Sequence, residues 1–149
     1  VGSMKHKFSP ETAKTILQTQ ECSGPLSFFK FLAAKAIFEG YVSSESKELV
    51  LNWLKTESLW RARACAYAML AEQNPEVAAQ ILTSSVERHP IARSAWVAAL
   101  SKSSLENKAE WLSQFKAIAG SGHEPLHVRD AALCAVLVEE GLAFHGFLF

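Results

Sequence analysis

No stretch of this chain alternates apolar and polar residues between turn-forming ends, so nothing in it reads as a strand or a β-hairpin. Cysteine is scarce and odd in number: Cys22, Cys65 and Cys134 are far apart among 149 residues, and no Cys-x-x-Cys pair occurs. That spacing argues against structural zinc and against a disulfide framework, and favours a reducing, cytoplasmic setting. The seven glycines form no phosphate-cradling loop, "GSGHEP" at 120–125 being the nearest approach. Net charge is also lacking, because 15 lysines and arginines balance 15 aspartates and glutamates. A neutral chain has no overall pull towards nucleic acid or an anionic membrane. No apolar run is long enough to span a bilayer, and "KHKFSPETAK" after Met4 has no signal-peptide core. Residues 1–3 read as an expression-tag remnant, 4–141 as a single domain and 142–149 as an apolar tail.

Hydrophobic residues make up 49% of the chain and charged residues 20%, the balance of a folded domain. The five prolines, at 10, 25, 75, 90 and 125, all look like helix openers, since a first-turn N–H has no partner to lose. Ser9 and Asn74 stand where N-caps belong, and Gly40, Gly120 and Gly141 where helices should stop. A shift of 33 residues then aligns the chain with itself. Ala33, Ala66, Ala99 and Ala132 form one column, Leu32, Cys65, Ala98 and Ala131 the column before it, and Ile16, Leu49, Leu82 and Phe115 a third. Each unit reads as two helices. The first type covers about 10–21, 44–56, 75–88 and 105–119 and is amphipathic; the second covers about 26–39, 58–72, 90–102 and 125–140 and is alanine-rich and apolar nearly all round. A helix of the second type needs neighbours on several sides, which predicts a dense inner layer.

A repeat of two antiparallel helices resembles the α-solenoid families. "VRDAALCAVLVEEG" is similar to the second helix of a HEAT repeat, with its Val-Arg pair, alanine-rich run and closing glycine. "LWRARACAYAMLAEQNPEVAAQILTSSVERHP" resembles a tetratricopeptide repeat in Trp60, Tyr67, Ala78 and Pro90, but has Arg63 and Ala64 in place of the Leu-Gly pair. The resemblance implies a right-handed α-solenoid of about four two-helix repeats, roughly eight helices in all. It also implies a non-catalytic protein-interaction module, an adaptor, scaffold or chaperone that holds a helix or peptide on a concave face. The alternative it leaves open is a HEAT-like enzyme or accessory protein acting on a chromophore or nucleic acid.

The 33-residue register gathers six candidate partner-binding residues on one side of the second helices: Trp60, Arg63, Tyr67, Arg93, Trp96 and Arg129. Tryptophan, tyrosine and arginine dominate binding hot spots because each joins a large contact area to a polar or charged handle, and three arginines suit an acidic partner. The competing reading has the aromatics filling the inter-repeat core and the arginines paired with Glu72 or Glu87. No catalytic set is expected: there is no Gly-x-Ser-x-Gly and no nucleophile–base pair, and Glu139 and Glu140 sit at a helix end. No metal or cofactor is expected either, since His123 and His127 flank Pro125 without a carboxylate or cysteine to complete a site. The tail "LAFHGFLF" is expected to fold back over the last apolar seam or to seat in a second copy as a homodimer, and eight residues are too few for a membrane role.

Overall fold

The computed structural model describes residues 8–19, 24–39 and 43–141. Among these residues the protein is all-α: α1 Pro10–Gln18, α2 Gly24–Glu39, α3 Ser44–Thr56, α4 Trp60–Gln73, α5 Pro75–Leu82, α6 Pro90–Lys102, α7 Lys108–Gly120 and α8 Leu126–Glu139. No described helix is long and apolar enough to cross a membrane. The predicted tail, together with Cys22 and Gly40, lies outside the described residues.

The helix starts follow from local chemistry. Ser9 Oγ accepts from the Thr12 N–H at 3.2 Å and Asn74 Oδ1 from the Val77 N–H at 3.2 Å, with Pro10 and Pro75 next in line. At α6 the cap ahead of Pro90 is His89, whose Nδ1 lies 3.3 Å from the Ile91 N–H. Ser43 and Ser46 cap α3 reciprocally. Two prolines fall slightly differently from expectation: Pro25 is the second residue of α2, and Pro125 is the residue just ahead of α8.

Two first-type helices are shorter than their apolar patterns. α5 stops at Leu82, where the hydroxyls of Thr83 and Ser84 turn back onto the Ala79 and Gln80 carbonyls, each at 2.7 Å. That frees residues 83–89 as a loop, and Glu87 lies in it. α7 starts at Lys108; Leu105 is buried from the preceding loop, which the Ser104 N–H ties to the Pro75 carbonyl at 3.1 Å.

The second helices lie side by side in chain order, α2 on α4, α4 on α6 and α6 on α8, while α1, α5 and α7 pack against α2, α6 and α8. α1 also meets α3, and α3 meets α5. The alanine column is the core of the inner row: Ala33, Ala66 and Ala132 are 0% exposed and Ala99 is 2% exposed. With no side chain beyond Cβ, these positions let helix axes approach closely. Large residues complete the buried core, among them Trp53 and Phe115 at 1% exposure.

The register is not a constant 33 residues. Counted from the helix starts, Ser27, Arg63, Arg93 and Arg129 are each the fourth residue of their inner helix. They stand 36, 30 and 36 residues apart. The alanines therefore alternate between the tenth and the seventh position of successive helices. A slip of three residues is nearly one helical turn, so it keeps a residue on the same face and leaves the column buried.

Candidate functional site

Short loops with a glutamate precede α4, α6 and α8, and each of these carboxylates is held by the second-type helix before it. Glu57 lies between α3 and α4, Glu87 between α5 and α6, and Glu124 between α7 and α8. Glu57 accepts from Ser27 Oγ of α2 at 2.7 Å, from Trp53 Nε1 at 2.8 Å and from the Leu59 N–H at 3.1 Å. Burial disfavours its charge, but these bonds outweigh burial and hold its carboxyl below the ordinary range.

The middle rung is the most enclosed. Arg63 of α4 grips Glu87 with two bonds, Nε to Oε1 at 2.6 Å and Nη2 to Oε2 at 3.0 Å. The Tyr67 hydroxyl donates to Oε1 at 2.6 Å, and the Arg88 and His89 N–H groups donate to Oε2 at 3.0 Å each. Glu87 is 6% exposed. Burial pushes its carboxyl upward, yet the bonds from Arg63, Tyr67 and the backbone more than reverse this and hold it at about 2. The same contact raises the Arg63 guanidinium, and burial together with the Glu87 carboxylate raises the Tyr67 phenol. A carboxylate with five donors stays ionised at neutral pH and has no proton to give. It acts as a clamp.

The third rung repeats the second with fewer donors. Arg93 of α6 grips Glu124, Nε at 2.9 Å and Nη2 at 2.7 Å from Oε2. Both arginines also reach the loop ahead of their own helix: Arg63 Nη1 donates to the Glu57 carbonyl at 2.8 Å and Arg93 Nη1 to the Glu87 carbonyl at 3.0 Å. Each guanidinium thus ties the loops on either side of it to one helix through one planar fork.

The structure brings five of the six candidate residues into these seams. Trp60 stacks on His89 with ring centroids 4.8 Å apart, while Arg61 covers the Trp60 ring. Arg63 and Tyr67 meet Glu87, and Arg93 meets Glu124 and the Trp96 ring. Trp96 is buried, its indole N–H on the Leu82 carbonyl at 2.9 Å. Arg129 stands apart from the other five. Its Nε is 3.4 Å from the Ala119 carbonyl, a marginal bond, and no carboxylate meets it among the described residues. Arg63 does take Glu87, as the pairing reading expected; Glu72 plays no part in the rungs, and the partner of Arg93 is Glu124. The recurrent glutamate ahead of each second helix was the sequence signal for the ladder.

What the ladder leaves open is the opposite side of the inner helices. Arg61, Cys65, Ala68 and Glu72 form an exposed stripe along α4. Between α4 and α6 lies a groove of about 290 Å³ floored by Ala68, Ala71, Ala95, Ala98 and Ala99, with Glu72 and Lys102 also lining it. A second cleft of about 400 Å³ runs beside α5 to Trp111, with Glu76, Gln80, Glu106 and Asn107 on its walls. No group of three or more potential metal-binding side chains occurs among the described residues. His127 places Nε2 2.9 Å from the Pro90 carbonyl and so joins α8 to α6. Comparison with protein-family profiles, curated proteins and solved structures finds no match to this chain.

Proposed function

We propose that the chain is a non-catalytic protein-interaction module, a right-handed α-solenoid of four helical hairpins that holds a partner helix or extended peptide on the open side of α2, α4, α6 and α8. The observation that carries this reading is the division of labour on the inner helices. One side of α4 and α6 is spent on the arginine–glutamate rungs, which lock neighbouring hairpins into one orientation. The other side stays exposed and small, with an alanine floor between α4 and α6. Small residues let a partner backbone come close, and a rigid support reduces the ordering cost of binding. On this reading Trp60, Arg63, Tyr67, Arg93 and Trp96 serve binding by fixing the geometry of the face, and Arg129 contributes its own guanidinium. Exposed Phe28, Phe29 and Ile91 add apolar contact on the same row of helices.

The test is a bulky, charged substitution on the groove floor. Ala68 is exposed, so Ala68→Arg leaves the core intact. Wild type and the folded A68R variant are compared as baits in extract from the source organism, with bound proteins identified by mass spectrometry. A protein held by wild type and lost by A68R supports the reading and supplies the partner. Identical sets on both baits overturn it.

A further inference from the structure

The row of first-type helices loosens where the chain passes from α6 into α7. α1 packs on α3 and α3 on α5, but α7 does not continue the row against α5 to the same extent. α5 has only eight residues and α7 starts at Lys108, so the loop before α7 runs against α5 instead, tied by Ser104 to the Pro75 carbonyl. The cleft of about 400 Å³ lies here, within the size range of ligand pockets.

Its lining combines an apolar base, an aromatic wall and two carboxylates. Ala79 and Leu105 are buried beneath it. Trp111 is half-buried, its ring set against buried Trp96 and Phe115 at centroid separations of 6.2 and 6.0 Å, which fixes the indole in place. Glu76, from the first turn of α5, and Glu106, from the loop, are exposed, and no cation meets either among the described residues. Asn107 stands at the start of α7 without using its side chain as a cap. Gln80 is already engaged, since Lys47 Nζ donates to its Oε1 at 2.8 Å.

Elsewhere the same chain holds a guanidinium with this pair of groups. Arg93 grips the Glu124 carboxylate while its Cζ lies 5.4 Å from the centre of the Trp96 ring. Arg61 Cζ lies 5.1 Å from the Trp60 ring. A guanidinium suits both partners at once, because its planar fork matches a carboxylate and its face stacks on an indole. The cleft presents the indole of Trp111 with the carboxylates of Glu76 and Glu106 on its walls.

We propose that the cleft between α5 and the start of α7 receives an arginine side chain from a basic segment of a partner protein. The guanidinium stacks on Trp111 and donates to Glu76 and Glu106, and the aliphatic stem covers Ala79 and Leu105. This surface is separate from the α4–α6 groove, with which it shares no lining residue. The chain then holds two partner surfaces of different chemistry, a small apolar groove and an acidic aromatic cleft.

The test is a nuclear magnetic resonance titration of the full chain at low salt with a capped pentapeptide, one central arginine among alanines. The Trp111 indole N–H and the Asn107 side-chain amide should shift and approach saturation by about 10 mM peptide, the weak range expected of one anchoring side chain. The same peptide with citrulline, which keeps the shape and loses the charge, should leave both signals in place. The Glu76→Gln/Glu106→Gln variant should bind at least about tenfold more weakly, the scale of losing charge-assisted hydrogen bonds. Both positions are exposed, and circular dichroism confirms that the variant folds. No shift at Trp111, an equal response to citrulline, or a double variant that binds like wild type overturns the proposal. A68R should bind the peptide as wild type does; loss of binding in A68R would place the arginine in the α4–α6 groove and overturn the proposal as well.

Discussion

Arg63 of α4 and Glu87 of the α5–α6 loop form an enclosed joint, two bonds of 2.6 and 3.0 Å across 24 residues of sequence, with the Tyr67 hydroxyl on the same carboxylate. Arg93 and Glu124 repeat the geometry between α6 and the α7–α8 loop, but the Glu124 carboxylate has no Tyr67-like second donor at the eighth residue of α6, where Val97 stands. Arg129 repeats the position, and among the described residues no carboxylate meets it. One device is thus present at three levels of completion.

This gradient sets an order of stabilities. Arg63→Ala strands a nearly enclosed carboxylate and should cost about 3 kcal/mol, the scale for removing one partner of a buried pair. Arg93→Ala should cost about 1 to 2 kcal/mol, because Arg93 and Glu124 side chains are 18% and 17% exposed and water can replace part of the contact. Arg129→Ala should lie within about 0.5 kcal/mol of wild type. Urea unfolding followed by circular dichroism checks all three. Equal losses at positions 63, 93 and 129 would contradict the ladder.

The pH dependence of stability should be asymmetric. Glu87 is held at about 2 in the folded chain against an ordinary 4.5, so the unfolded chain takes up the proton first. Its contribution is complete above about 4.5 and is lost as pH falls towards 2, and the lowered Glu57 carboxyl acts in the same direction. At the alkaline end the Tyr67 phenol is raised above its ordinary 10, so its contribution is full below 10 and fades above that. Urea midpoints across pH should therefore fall on both sides. Glu87→Gln should flatten the acid limb and Tyr67→Phe the alkaline one.

The helix pattern was legible because prolines, caps and apolar periodicity are local signals. Pro10, Pro75 and Pro90 open helices in the structure as read from the chain. The rungs were only half legible. Arg63 and Glu87 could be paired on paper, but a constant 33-residue register sets Arg63 level with Trp96, whereas the helix starts set it level with Arg93. The slip of three residues was hidden because it preserves the buried face, and so preserves the alanine column read from the sequence. Loop lengths decide such slips, and the end of α5 at Leu82 depends on two hydroxyls turning back on the helix, which apolar periodicity does not register.

The alanine column makes a packing prediction. Ala66 has 0% exposure in a row where helix axes are close, so Ala66→Leu inserts three carbons where no space exists. It should destabilise by about 1 to 3 kcal/mol, while the same change at exposed Ala68 should stay within about 0.5 kcal/mol. Thermal unfolding of both variants distinguishes a tight inner row from a loose one. Equal midpoints would mean that the helices can separate to admit the side chain.

Cysteine chemistry offers a direct view of the open side. Cys65 is exposed one turn before Ala68 on α4, whereas Cys134 is half-buried on α8. In a Cys22→Ser background, which leaves these as the only two thiols, a bulky maleimide should modify Cys65 first and Cys134 about tenfold more slowly, because reaction requires access to the sulfur. Peptide mass spectrometry after proteolytic digestion assigns the order. Labelling at Cys65 should leave the urea midpoint almost unchanged, since the rung residues face the other way. A partner seated in the α4–α6 groove should then slow Cys65 while leaving Cys134 at its own rate, and Ala68→Arg should abolish that protection. If Cys134 were instead the thiol shielded on binding, the partner would be sitting against α8, and the groove between α4 and α6 would lose its role.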